Sequence, residues 1–295
     1  MAKESKSIRV GQFSESPVLA VARALGLDHK YQVNWETSQV PSSPGQFQLL
    51  RDGEIDLAIT SPDNVMLYAT TSKNPLNEQL GIRVLRPIDR GLGLALYTSA
   101  EISTASDFHG ATLGVDVMSS GFALLLLSML RQLGVDLQQV KFEAVGATPK
   151  RLEAIVVGGI HGSILNAESA VAAEASGLRR WATSVDVTRH YLGTVLAQLE
   201  RPINEETRAF LELWEESTHV ILSSQAEELI ELLGTSAPTL ASSAYVAILQ
   251  SEDFGLFESS VMSLEQLSAL AAIRGEAGVY APTEDQLGAL LRAGL

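Results

Sequence analysis

The chain has 295 residues, 46% hydrophobic and 19% charged, with a formal charge of −14 and no cysteine. That length allows one large domain or two ordinary ones with a real core. The acidic balance, without a Lys/Arg cluster, argues against nucleic acid as a partner, because phosphate-backbone binding needs clustered cations. The absence of cysteine excludes disulfides, thiolate metal sites and thiol nucleophiles.

The opening MAKESKSIRV is charged and reaches a strand within seven residues, without the apolar stretch of a signal peptide. The expectation is a periplasmic location if a signal peptide has been removed, and a cytoplasmic one if Met1 is the native start. The strand IRVGQF (8–13) leads through Ser14, Glu15 and Ser16 into Pro17 and the helical VLAVARALGL, with Gly26 near its end. Proline at an early helix position suits a helix start, where its missing N–H costs nothing. YQVNWET (31–37) reads as a second strand, and LLRDGEIDLAITSPDN (49–64) ends in a third. RGLGLALYTS (90–99) is a candidate crossover strand.

The grammar then repeats. TLGVDV (112–117) is followed by Met118, Ser119, Ser120 and Gly121, then by FALLLLSMLRQLGV with Gly134 near its end. The apolar run Phe122–Leu130 is far short of the ~20 residues of a membrane span and reads as a buried helix. VKFEAV (140–145) matches the earlier second strand, and AIVVGGIHGSILNAES (154–169) rewrites residues 49–64: Gly53 falls on Gly158, Ile55 on Ile160, Ile59 on Ile164 and Ser61 on Asn166. Each half reads β-α-β-α-β, which implies parallel strands with right-handed crossovers. LGTVLAQLE (192–200) is the second crossover candidate. Beyond residue 200 the three- and four-residue apolar spacing predicts helices that return to the first domain.

These phrases, with SDFHGATLGVDVMSSGFALLLLSMLRQLGVD and ATPKRLEAIVVGGIHGSILNAES, resemble the type II periplasmic solute-binding proteins of ABC importers. The branch is the one that includes nitrate-, sulfonate- and thiamine-precursor-binding proteins. The resemblance runs from Ile8 to about Glu200. It implies an α/β fold of the periplasmic-binding-protein type: two Rossmann-like lobes joined by two crossover strands, with a ligand cleft between them. Lobe one is expected over 1–95 plus 196–295, including the C-terminal helices, and lobe two over 96–195. The implied activity is binding of a small organic solute by a monomer, with closure of the lobes and delivery to an ABC permease. No metal, cofactor or transmembrane segment is expected.

In open parallel α/β sheets ligands lie beyond the carboxyl ends of the strands, beside helix N-termini. That rule selects Gln12, Phe13, Ser14, Glu15, Ser16, Ser38, Thr60, Ser61 and Asp63 in lobe one. In lobe two it selects Asp116, Ser119, Ser120, Gly121, Phe122, Asn166, Glu168 and Ser184. Each has a plainer reading: Ser16, Ser119, Ser120 and Asp63 as helix caps, Phe13 and Phe122 as core. No Arg or Lys stands among them while four carboxylates do, so the expected ligand carries an amine or ring-nitrogen donor, stacked on Phe13 or Phe122.

Some proteins of this fold are enzymes. The alternative is therefore a cytoplasmic acid/base lyase, a decarboxylase or dehydratase acting on a small organic acid or heterocycle, with Glu168, Asp63 and His190 as its catalytic candidates. Metalloprotease, nucleophile-elbow, Walker and dinucleotide signatures are all absent from the sequence.

Overall fold

In the computed structural model of the protein the described residues are 7–294, with side chains described through Leu291; the charged opening at residues 1–6 lies outside them. The chain begins β1 (Ile8–Gln12), α1 (Pro17–Ala24), α2 (Leu27–Tyr31), β2 (Trp35–Gln39), α3 (Ser43–Arg51), β3 (Leu57–Thr60), α4 (Pro62–Thr70), β4 (Ile82–Asp89). It enters the second lobe with β5 (Ala95–Thr98), β6 (Thr112–Val115), α5 (Gly121–Gln132), β7 (Lys141–Ala144), α6 (Thr148–Val156), β8 (Gly162–Leu165), α7 (Ala167–Ala175), β9 (Arg179–Thr183) and α8 (Ser184–Val187). It returns through β10 (Thr194–Leu199) to α9 (Glu205–Ser223), α10 (Ala226–Ser236), α11 (Ser243–Leu249), α12 (Leu264–Glu276) and α13 (Glu284–Gly294).

Two five-stranded sheets result, ordered β2-β1-β3-β10-β4 and β7-β6-β8-β5-β9. The repeat read in the sequence is the repeat of the fold. Gly11 pairs with Ala58 in one sheet and Gly114 with Ser163 in the other, at matching parallel registers. A Cβ on Gly11 would lie 2.6 Å from Cδ1 of Ile55, and one on Gly114 would lie 2.5 Å from Cδ1 of Ile160. The repeated isoleucine thus packs over a bare glycine of the neighbouring strand. Gly53 and Gly158 hold the same left-handed turn, at φ 71° and 75°, which a Cβ would disfavour.

The structure departs from the expected elements in three places, the first being β4 (Ile82–Asp89), a strand that the sequence reading does not name. Residues 31–34 are not strand: α2 takes Tyr31, whose hydroxyl donates to Glu216 at 2.6 Å, and Gln32 ends the helix in the left-handed region. The two crossing strands do not extend the parallel series. Each inserts antiparallel, β10 between β3 and β4, β5 between β8 and β9.

The connections touch where they pass. Asp89, fully buried, accepts from Gly91 N at 2.7 Å and from the Thr194 hydroxyl, tying segment 90–94 to β10. A side chain on Gly193 would overlap Asp89 and the Gly91 backbone. The C-terminal helices serve both lobes: α9 and α10 cover α1 and α13 covers β4, while α11 also touches α7 and α12 also touches α5. The run predicted to be a buried helix is α5, buried at every residue from Ala123 to Leu130.

Candidate functional site

Between the sheets lies a cavity of about 90 Å³, walled by Phe13, Ser14, Ser43, Ile59, Thr60, Ser61 and Asn64 on the first lobe and by Thr194 at the start of the crossing strand β10. The second lobe contributes Asp116, Ser120, Gly121, Phe122, Ala147, Thr148, Arg151 and Asn166. Its size is below the ~300–1,000 Å³ that enclose drug-sized ligands, so the space suits a compact molecule. Local sequence explains the walls. Ser61 caps α4 and Ser120 caps α5, each accepting from a first-turn amide, with Pro62 opening α4. Both helix N-termini therefore end at the cavity.

The lobes meet across it. Asp116, beyond β6, accepts through Oδ2 from the backbone N–H (3.2 Å) and hydroxyl of Ser43 at the start of α3. This interlobe link places a carboxylate on a helix N-terminus, where the backbone dipole favours it. Its other oxygen, Oδ1, is buried without a partner. Beside this link Gly121 is packed so tightly that an added Cβ would stand 2.6 Å from Cβ of Asp63 and 2.8 Å from Oγ of Ser61.

Arg151, on α6, is 1% exposed. Its Nη2 donates to the Thr148 hydroxyl at 2.7 Å, while Nε and Nη1 have no partner. Burial draws its pKa down to about 10, with Asp116 pulling the other way. It remains a cation at neutral pH.

Of the residues selected from sequence, Phe13, Ser14, Thr60, Ser61, Asp116, Ser120, Gly121, Phe122 and Asn166 line this cavity. The others stand elsewhere. Gln12 is a buried β1 residue, Ser16 caps α1, Ser38 and Glu15 are exposed, Ser119 lies just outside the wall, and Ser184 is buried beside Gly91 of the first connection. Asp63 is held by Arg274 of α12 at 2.6 Å in an almost fully buried ion pair, and complete burial pushes its carboxyl up to about 6. Glu168 sits in the first turn of α7 with Oε2 buried and unpartnered, its pKa raised chiefly by burial and further by Glu15. His190 is half-exposed and faces Glu265 at 3.2 Å. None of the three catalytic candidates lines the cavity.

Sequence reasoning missed Ser43, Ile59, Asn64, Ala147, Thr148, Arg151 and Thr194. Arg151 matters most, because the expectation of an amine ligand rested on a cleft without a cation. The alignment that sets Gly53 on Gly158 also sets Ser43 on Thr148, Gln46 on Arg151 and Asp63 on Glu168.

No protein-family model and no curated protein matches the chain. Solved structures do. The alkanesulfonate-binding protein SsuA from Xanthomonas axonopodis pv. citri, bound to MOPS, is 14% identical with a TM-score of 0.75, over 98% of this chain and 99% of that one. The periplasmic nitrate-binding protein NrtA from Synechocystis PCC 6803 is 10% identical with a TM-score of 0.74, over 97% of this chain and 85% of that one. The CA3427 gene product of Candida albicans, described as exhibiting the generic periplasmic binding protein fold, is 16% identical with a TM-score of 0.72, over 98% and 95% of the two chains. The chain has the periplasmic-binding-protein fold. Among the described residues no helix is long and apolar enough to cross a membrane, and no group of three or more His, Asp or Glu is placed to hold a metal ion.

Proposed function

We propose that this protein is a solute-binding receptor that closes its two lobes on a compact organic molecule and passes it to an ABC-type permease. The observation that carries the reading is the cavity itself, walled from both lobes and bridged by Ser43 and Asp116. A ligand touching both walls stabilises the closed form through its differential affinity for that form. The fold supports the reading, since SsuA and NrtA are named as binding proteins for alkanesulfonate and nitrate. In this reading residues 1–95 plus 196–295 form lobe one, residues 96–195 form lobe two, and the Asp89 contacts mark the hinge. The receptor acts as a monomer on the outer side of the cytoplasmic membrane, where such a permease collects its cargo.

Native mass spectrometry followed by thermal-shift screening with amines, heterocycles, aromatic acids and sulfonates tests the proposal. The expected result is a compound that raises the melting temperature with concentration, as linkage requires, and is recovered unchanged. Chemical conversion of that compound would replace the receptor reading with an enzymatic one.

A further inference from the structure

A buried guanidinium and the buried Oδ1 of a part-buried carboxylate line the cavity with hydrogen-bonding capacity left over. On one side Nε and Nη1 of Arg151 are unpartnered; on the other Oδ1 of Asp116 is unpartnered, its second oxygen being taken by Ser43. The two do not neutralise each other directly, since no ion pair within 4.0 Å joins Arg151 to any carboxylate among the described residues. A buried guanidinium with one hydrogen bond and no counter-ion is strongly disfavoured, and so is a buried carboxylate oxygen without a donor. A ligand that supplies an anion to the first and an N–H donor to the second relieves both. The same cavity is lined by the apolar side chains of Phe13, Ile59 and Phe122. That suits a short carbon skeleton.

We infer that the cleft is built for a small amphoteric solute: an acidic group held by Arg151, an ammonium or other N–H donor held by the free oxygen of Asp116, and a short apolar spacer between them. This rests on the receptor reading and narrows its ligand class. The donor follows the expectation drawn from the carboxylates of the sequence; the acid follows from Arg151, which that expectation lacked. The small cavity selects for a short chain.

The test is titration of the full-length protein with the ω-amino acids from glycine to 5-aminopentanoate, against propionate and propylamine as single-charge probes, read by calorimetry and melting temperature. One member of the series should bind at least about tenfold more tightly than either single-charge probe, as a hydrogen bond to a charged group implies. Asp116→Asn keeps an acceptor for Ser43 but replaces the free oxygen by a donor. It should erase the preference over propionate while leaving propionate binding in place. Arg151→Leu should erase the preference over propylamine. Ser43→Ala, which removes the hydroxyl half of the interlobe link and leaves the backbone N–H on Asp116, should weaken all probes by a similar factor. Propionate or propylamine binding as tightly as the best amino acid would overturn the inference and leave the receptor reading standing. Failure of the whole series also overturns it, and the receptor reading falls with it only if no compound of the broader screen raises the melting temperature.

Discussion

The two lobes use one scaffold for opposite ends at a single matched position. In lobe one Gln46 is fully buried, and its Nε2 donates to the carbonyls of Gly11 and Ile59, both at 3.0 Å. The amide nitrogen is consumed in holding its own sheet, while Oε1 is buried without a partner. At the matching place in lobe two stands Arg151, and the strand carbonyl it might have served, Gly114 O, is taken by the Ser163 hydroxyl at 2.8 Å. Ser163 matches Ala58, which has no hydroxyl to offer. With that carbonyl taken by Ser163, the Arg151 guanidinium donates to Thr148 alone, and the residue lines the cavity. A second matched pair shows a related contrast: Asp63 is neutralised by Arg274, whereas Glu168 keeps an unpartnered oxygen. At these two matched pairs the lobe-one side chain is bonded within its lobe, apart from Oε1 of Gln46, while Arg151 and Glu168 keep unpartnered polar atoms.

The largest effect should come from breaking the buried ion pair of lobe one. Arg274→Met leaves Asp63 buried without its counter-charge, and denaturant unfolding should show a loss of about 3–5 kcal/mol near neutral pH. The loss should depend on pH in a defined direction. The folded-state pKa of Asp63, about 6, lies above its ordinary 3.8. The folded state therefore holds the proton more tightly, and this group's contribution to stability declines as pH rises between those values. Without Arg274 the ionised form is worse still, so the deficit should be greatest above about pH 6 and smaller near pH 4.5.

Next comes Gln46→Leu, which strands two buried carbonyls and should cost about 2–3 kcal/mol in the same assay. Gly121→Val follows. Its branched side chain would press on Asp63 and Ser61 across the seam, raising the closed form by about 1–3 kcal/mol. Small-angle scattering should report a larger radius of gyration, with each lobe's secondary structure kept. The smallest effect has the opposite sign. Arg151→Leu removes a buried cation with no ion partner, so the unliganded protein should become more stable by about 1 kcal/mol while losing its grip on acidic ligands. The contrast between Gln46→Leu and Arg151→Leu, one destabilising and one stabilising at matched positions, is the sharpest check on the comparison.

Much of the fold was legible because its determinants are local and written twice. Gly53 and Gly158 turn the chain, and Ile55 and Ile160 fill the space over Gly11 and Gly114. The strand-end rule found the loops after β1, β3, β6 and β8 for the same reason. It passed over the starts of α3 and α6, so Ser43 and Arg151 were not selected. Arg151 lies one turn into a helix in the run PKRLEA, where a cation reads as solvated. Only the packing of α6 on β8 shows that it points inward. The fate of Asp63 was illegible for a different reason: its partner, Arg274, is more than two hundred residues away on a helix whose docking the local pattern does not specify. The antiparallel insertion of β5 and β10 is likewise a matter of which sheet captures a crossing strand, which alternation of residue types does not encode.

The central claim is that ligand bound between the lobes holds them closed, and the cysteine-free chain allows a direct measurement of it. Cysteines introduced at the exposed Glu36 of β2 and Glu143 of β7 would be the only thiols, and fluorescent labels there report the distance between the outer strands of the two sheets. With any compound that raises the melting temperature, the distribution should shift toward a single short distance, and Gly121→Val should shift it back. A compound that stabilises the protein while leaving the distribution unchanged would contradict closure as the mechanism.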